Sequence, residues 1–238
     1  MIEYTSNDSE LFNKKDIFFV LTNKNGGVSP HPFCSLNLGL NTPDINVVQN
    51  RQLIKDKLKT NKIYYTNQEH GNKIISLTLN NKIELLGNGD GIICNTPNLY
   101  AMVTVADCNP IILFSQKNKI FTILHAGRAG LEKNIITNAS KLINSDDIIA
   151  FVGPSIRQCC YEIDGEVLNT YKKTYQDFVV HRNGRFYLDM LAMIKNEFKQ
   201  NNIKQYEVID KCTCCDDDFF SYRRNKECGR FALICVIR

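Results

Sequence analysis

YAMVTVADCNPIILFSQKNKIFTILHAG, residues Tyr100–Gly127, holds three apolar runs separated by short polar breaks. YAMVTV (Tyr100–Val105) and PIILF (Pro110–Phe114) are continuous rather than alternating, the pattern of strands buried on both faces. Such strands need helices to cover them. Upstream, IYYTNQ, KIISLT and DGIIC read as further short strands divided by Gly, Asn and Lys turns, and IFFVLTN (Ile17–Asn23) reads as a strand running into the turn residues Asn25-Gly26-Gly27. Helical spacing begins at Asn46, with Val47, Val48, Leu53, Ile54 and Leu58 on one face, and ends near Thr60. Downstream, helices are expected at Leu131–Ile143, at Gly165–Tyr175 behind an Asp164 cap, and at Met190–Lys199 behind Asp189. Asn183-Gly184 between two strand-like arms predicts a hairpin. Strands at Ile148–Val152, Tyr206–Ile209 and Phe231–Ile237 complete the pattern. No repeat, linker or break in composition divides it, so the expectation is one α/β domain over residues 1–238, a large mixed sheet covered by helices.

Composition supports a folded chain with an ordinary core. Apolar residues make up 43% and charged residues 23% of the 238, with a mean hydropathy of -0.25, which excludes collagen, coiled coil and disorder. The ten cysteines stand out. At about 4% of the chain they are too sparse for a secreted disulfide scaffold, and MIEYTSNDSE is acidic where a signal peptide would be basic and then apolar. A cytoplasmic location is therefore the default, with most thiols free. The longest apolar runs fall far short of the roughly 20 residues needed to span a bilayer. A net charge of +4 without basic clusters predicts neither a nucleic-acid stripe nor a membrane patch.

Three segments place a metal-binding side chain near the end of a strand: TNQEHG at His70, VTVADCNP at Cys108 and TILHAG at His125. In open α/β sheets, sites form beyond strand ends. Two imidazoles and a thiolate would make a three-ligand zinc site with the fourth position open, the pattern of catalytic zinc. Taken singly, each His reads equally as a surface or hydrogen-bonded residue, and Cys108 as buried packing. Their convergence depends on which strands are neighbours. Other features are weaker. Cys212-Thr213-Cys214-Cys215 contains a C-x-x-C without a second pair at zinc-ribbon spacing, so it reads as structural or incidental. Cys159 and Cys160 are adjacent, so their side chains are expected to diverge and not to share a metal. Arg223-Arg224 would suit an anion clamp or a solvated surface. The long loop NGGVSPHPFCSLNLG invites a functional role, with His31 a poor ligand on its own.

Several motifs in order resemble one family, the YfiH-like or laccase-domain proteins, also called multicopper polyphenol oxidases or peptidoglycan editing factors. They are GGVS and SLNLG (Gly26 to Gly39), NQEHG (Asn67–Gly71), DGII with ADCNPIIL (Asp90 to Leu113) and HAGRAG (His125–Gly130), then VGPSIRQCCYEI (Val152–Ile163), YLDM (Tyr187–Met190), and CT with FFSYRR and GRFALI (Cys212 to Ile234). The resemblance implies a YfiH-like α/β sandwich with a metal site at His70, Cys108 and His125, which would also be the catalytic residues. It implies zinc-dependent phosphorolysis of adenosine, inosine and methylthioadenosine, with deamination of adenosine, and so a purine nucleoside and phosphate as small-molecule partners. Asn37, Arg128 and Arg223 are the substrate-binding candidates within the matched motifs.

The chain departs from the family at HAGRAG, where the usual string is HAGWRG: Arg128 stands in the Trp position and Ala129 in the Arg position, and the chain has no Trp. Glu69 replaces the apolar residue of QVHG and reads as an exposed carboxylate. Alternatives follow from the same three residues. Four histidines are too few for a multicopper cluster, but a single copper at His70, Cys108 and His125 would make an electron-transfer site. A metal-free hydrolase of peptidoglycan precursors would use Cys108 as nucleophile and His125 as base. A non-catalytic thiol-rich metal buffer is the third alternative. The oligomeric state is left open.

Overall fold

The three runs of Tyr100–Gly127 become three strands that lie in two different sheets, and that division creates the site. The computed structural model describes Met1–Arg238 throughout. In chain order the first elements are β1 (Ile2–Thr5), β2 (Ile17–Thr22), α1 (Val47–Leu58), β3 (Ile63–Asn67), β4 (Ile74–Leu77), β5 (Leu85–Asn88), β6 (Gly91–Cys94), β7 (Tyr100–Val105), β8 (Asn109–Ser115) and β9 (Ile120–Ala126). Then follow α2 (Arg128–Glu132), α3 (Ile135–Ile143), β10 (Ile149–Val152), β11 (Glu162–Ile163), α4 (Gly165–Thr174), β12 (Val179–Arg182), β13 (Arg185–Leu188), α5 (Met190–Gln200), β14 (Gln205–Val208) and β15 (Phe231–Ile237).

The α/β class with mixed sheets covered by helices is observed, the strands being shared between two six-stranded sheets and a small three-stranded one. The first sheet runs β1-β2-β15-β7-β3-β5 and the second β14-β10-β8-β9-β6-β4. In the first, β3 lies parallel to both β7 and β5, while β15 is antiparallel to its two neighbours. In the second, β8, β9, β6 and β10 pair antiparallel, and β4 and β14 close the edges in parallel.

Stacking explains why the two runs are apolar on both faces. Ala101, Val103 and Val105 of β7 pack against Ile112 and Phe114 of β8 within one inter-sheet core, which Phe19 and Phe151 join with ring centroids 4.4 Å apart. The opposite face of β7, at Met102, is covered by Ile54 of α1 with Leu36 and Leu38 of the long loop. The opposite face of β8, at Ile111 and Leu113, is covered by Ile135, Ile136 and Ala139 of α3 and Ile194 and Phe198 of α5. Each strand is thus buried by a sheet on one side and by a helix on the other.

Two local expectations change. The helix expected over Leu131–Ile143 starts earlier, at Arg128, and is broken at Asn134, which adopts a left-handed φ of 56° that Asn tolerates better than most residues. Asp164 sits at the cap position of α4 without a side-chain cap bond, whereas the Asp189 carboxylate accepts from Ala192 N at the start of α5. The Asn183-Gly184 turn is as expected, with φ of 52° and 75° joining β12 to β13. No helix is long and apolar enough to cross a membrane.

Candidate metal centre and ligand pocket

His70 lies just beyond β3, Cys108 in the crossover between β7 and β8, and His125 next to last in β9. The first two elements reach the site from one sheet and the third from the other. The sheet-to-sheet crossover Ala106–Cys108 turns sharply at Asp107, whose φ is 92°. Its carboxylate locks the turn by accepting from Thr213 Oγ1 and from Arg223 N, each at 2.7 Å, while its carbonyl accepts from Ile156 N. One ligand atom from each of His70, Cys108 and His125 lies within 4.8 Å of the others. The two imidazole rings meet edge to face, centroids 4.8 Å apart.

Asp90 organises this trio and was not singled out in the sequence. The residue is 1% exposed. Its carboxylate accepts from the backbone N–H groups of Glu69, His70 and Gly71 at 3.1, 2.9 and 2.7 Å and from His125 Nδ1 at 2.8 Å. Burial alone would raise the Asp90 carboxyl, but the bonds from His125 and the backbone outweigh it and hold it below the usual carboxylate range. The carboxylate therefore fixes the loop that carries His70, and it sets the ring orientation of His125 so that Nε2 is left free for a ligand. The available sequence signal was Asp90-Gly91 at the start of a strand, too common a turn pair to be diagnostic.

Burial pushes the Cys108 thiol up, yet the neighbouring charge of His125 and hydrogen bonds from His125 and His70 bring it down to about 6. Burial likewise lowers the His125 imidazole, and Cys108 with Asp90 raises it to about 9. Without a metal, the pair is a thiolate and an imidazolium. The three donors fit a divalent ion of borderline softness, and their chemistry is that of a zinc site with a free coordination position. Close packing supports the fit: a Cβ on Gly127 would stand 2.9 Å from Cys108 Sγ and 3.2 Å from His70 Cδ2, so glycine lets the backbone approach the two donors.

The trio lies in the wall of a cavity of about 710 Å³. Five cationic side chains line it: Arg51, Arg128, Arg223, Lys226 and Arg230. Three tyrosines line it as well, each beneath a cation. Arg51 lies 4.2 Å from the Tyr65 ring centroid, Arg223 5.1 Å from Tyr161, and Lys226 4.6 Å from Tyr222. Such a wall offers flat apolar faces and positive charge together, suited to a heteroaromatic ligand with an anion. The only acidic lining residue, Asp107, is already engaged by its loop contacts.

Not every candidate reaches this cavity. Arg128 does, held by Glu132 one helical turn on, and so does Arg223, whose Nη1 donates to the carbonyls of Cys160 and Glu162. Arg224 takes no part in an anion clamp, because its guanidinium donates to the carbonyls of Thr213, Cys214, Asp216 and Phe219. Asn37 does not line the cavity. It is fully buried and braces the long loop, donating to Thr42 and Asp44 and accepting from Gly39 N and Arg230 N. Glu69 is exposed and accepts from Asn88 Nδ2. His31 is exposed on another surface depression, and His181 stacks on Phe186, so two of the four imidazoles are at the centre.

The expected divergence of Cys159 and Cys160 does not hold. Both thiols, with those of Cys212 and Cys215, form a second group whose sulfurs all lie within 4.8 Å of one another. Adjacent side chains point apart in an extended strand, but residues 158–160 form a tight turn in which Cys160 N and Tyr161 N both donate to Arg157 O.

The fold and the site define an α/β protein with a cationic, tyrosine-lined pocket around a His-Cys-His centre. The chain belongs to the family described as multi-copper polyphenol oxidoreductase laccase, whose model matches residues 18–238. It is similar to a purine nucleoside phosphorylase of Aquifex aeolicus, 36% identical over 179 residues that cover 74% of this chain and 83% of the relative. A purine nucleoside phosphorylase of Mycobacterium bovis is 29% identical over 223 residues, covering 90% and 89%. The crystal structure of the Bacillus licheniformis hypothetical protein YfiH matches with a TM-score of 0.87 at 28% identity, covering 93% of each chain.

Proposed function

We propose that this chain is a zinc-dependent purine nucleoside phosphorylase, acting on adenosine, inosine and methylthioadenosine, and that it also deaminates adenosine. The observation that carries the reading is the joining of the His70, Cys108 and His125 donors to a pocket with cationic and tyrosine walls. Similarity to proteins named purine nucleoside phosphorylase supports it.

His70, Cys108 and His125 would hold the ion, with Asp90 fixing the His125 ring. Zn²⁺ bound there would supply Lewis-acid polarisation of a substrate oxygen or of water. The rest falls to the chain. Arg128 and Arg223 bind phosphate and hold it toward the sugar. A phosphate oxygen bonds to ribose C1′ as the C1′–N9 bond breaks, and the bond's electron pair leaves with the purine, which takes up a proton. Tyr161 keeps its phenolic proton at neutral pH, since burial pushes the phenol up by more than Arg128 and Arg223 lower it, and its ring offers a stacking face. In deamination, an oxygen from water replaces the 6-amino group and ammonia is released. A cluster of several copper ions would need more imidazoles than the two at this centre.

The thiolate–imidazolium pair also supports a second reading, in which Cys108 is the nucleophile of a metal-free hydrolase and His125 its base. One experiment separates the two. Purified protein incubated with adenosine, with and without phosphate, should yield adenine only with phosphate and inosine without it, and both should vanish in Cys108→Ala. A chelator should abolish turnover and zinc restore it. Activity that survives chelation but is lost to a thiol alkylator would replace the first reading with the second, and no purine product from the wild type would end it.

A further inference from the structure

Cys159, Cys160, Cys212 and Cys215 share no residue with the His-Cys-His centre and do not line the cavity beside it. Two loops supply them: Gly153–Tyr161 after β10, and Lys211–Asp216 after β14. The loops are joined by a parallel bridge between Ser155 and Cys212, with Thr213 N donating to Ser155 O. Cys215 Sγ is 3.3 Å from Cys160 Sγ and 3.7 Å from Cys159 Sγ. Four thiolates about 2.3 Å from one tetrahedral ion would stand roughly 3.8 Å apart, so the sulfurs are already near ligand spacing.

The surroundings are those of a thiolate site. Arg157 N donates to Cys212 Sγ at 3.4 Å, the kind of backbone bond that orients a ligating sulfur. Arg182 Nη2 and Arg223 Nη1 donate to the carbonyls of Cys159 and Cys160, both at 3.0 Å, bringing two positive charges to a group that would carry a net negative charge when filled. No acidic or imidazole ligand joins the set, so it favours a soft or borderline metal over magnesium or calcium.

We propose that Cys159, Cys160, Cys212 and Cys215 bind a second Zn²⁺ in a closed, four-thiolate site with a structural role. Zinc there staples the two loops together and holds Tyr161 and the Arg223 anchor, one wall of the pocket. The site stands independently of the function of the His-Cys-His centre.

The test titrates metal-free, reduced full-length protein with Zn²⁺ and measures bound metal by elemental analysis after dialysis. Wild type should hold about two equivalents, Cys108→Ala about one, and Cys159→Ser/Cys215→Ser about one. The last pair is exposed, which favours retention of the fold. Cobalt bound to Cys108→Ala should show the charge-transfer intensity of several thiolates. Should the double variant fail to fold, alkylation mapping of wild type gives the answer: zinc should protect these four cysteines while the exposed Cys34 stays reactive. One equivalent in wild type that Cys108→Ala loses, unchanged stoichiometry in the folded double variant, equal alkylation with and without zinc, or a disulfide among the four in reduced protein would each overturn the proposal.

Discussion

At the residue scale, the centre depends on a carboxylate that does not line the cavity. Asp90 satisfies three backbone N–H groups and the His125 Nδ1–H at once, so one buried charge fixes both a loop and a ring. Asp90→Asn offers one carbonyl oxygen and an amide that donates where an acceptor is required. Zinc affinity at the His-Cys-His centre should fall about 10- to 100-fold, the usual loss when such a partner of a ligating His is removed. Competition against a chromogenic chelator measures it, with circular dichroism to show that the fold persists. Unchanged affinity would mean that Asp90 serves the loop alone.

At the element scale, the turn between β9 and α2 must bring backbone against two donor side chains. Gly127 has φ -79° and ψ 174°, an extended conformation open to any residue, so its glycine is required by space and not by torsion. Gly127→Ala would press a methyl group against Cys108 Sγ and His70 Cδ2. The variant should fold with a near-native melting temperature while turnover falls by about 10-fold or more, since displacements of about 1 Å at a reacting centre carry costs of that size. Steady-state kinetics beside a melting curve tests this. Undiminished turnover would show that the donors can move aside freely.

At the scale of the whole molecule, stability is tied to pH through the helical layer. Glu197 of α5 is 5% exposed and accepts from Thr137 N and Oγ1 of α3, while its Oε1 has no partner. Burial raises its carboxyl from 4.5 to about 7, against the Thr137 bonds. Below the unfolded value both states are protonated and its contribution is whole. Between the two values the unfolded chain has released a proton that the folded chain keeps, so stability declines as pH rises and levels off above about 7. The loss amounts to about 3 kcal/mol. Denaturant titrations at roughly pH 5 and pH 8 should show wild type losing most of that amount relative to Glu197→Gln. Parallel behaviour of the two proteins would locate the proton elsewhere.

Much of this was legible in the chain. The continuous runs of β7 and β8, the Asn183-Gly184 hairpin, the Asp189 cap and the strand-end positions of His70, Cys108 and His125 are local patterns, set by backbone sterics, turn chemistry and side-chain periodicity. The tertiary structure decided what such patterns do not encode. It stacked β7 and β8 in separate sheets, aligned the ends of β3, β7 and β9, placed Asp90 beneath them, withdrew Asn37 and Arg224 from the pocket and gathered four distant thiols. These outcomes follow from strand pairing and packing between residues far apart in the chain. The energy that selects them is spread over dozens of buried side chains, so no single motif announces it.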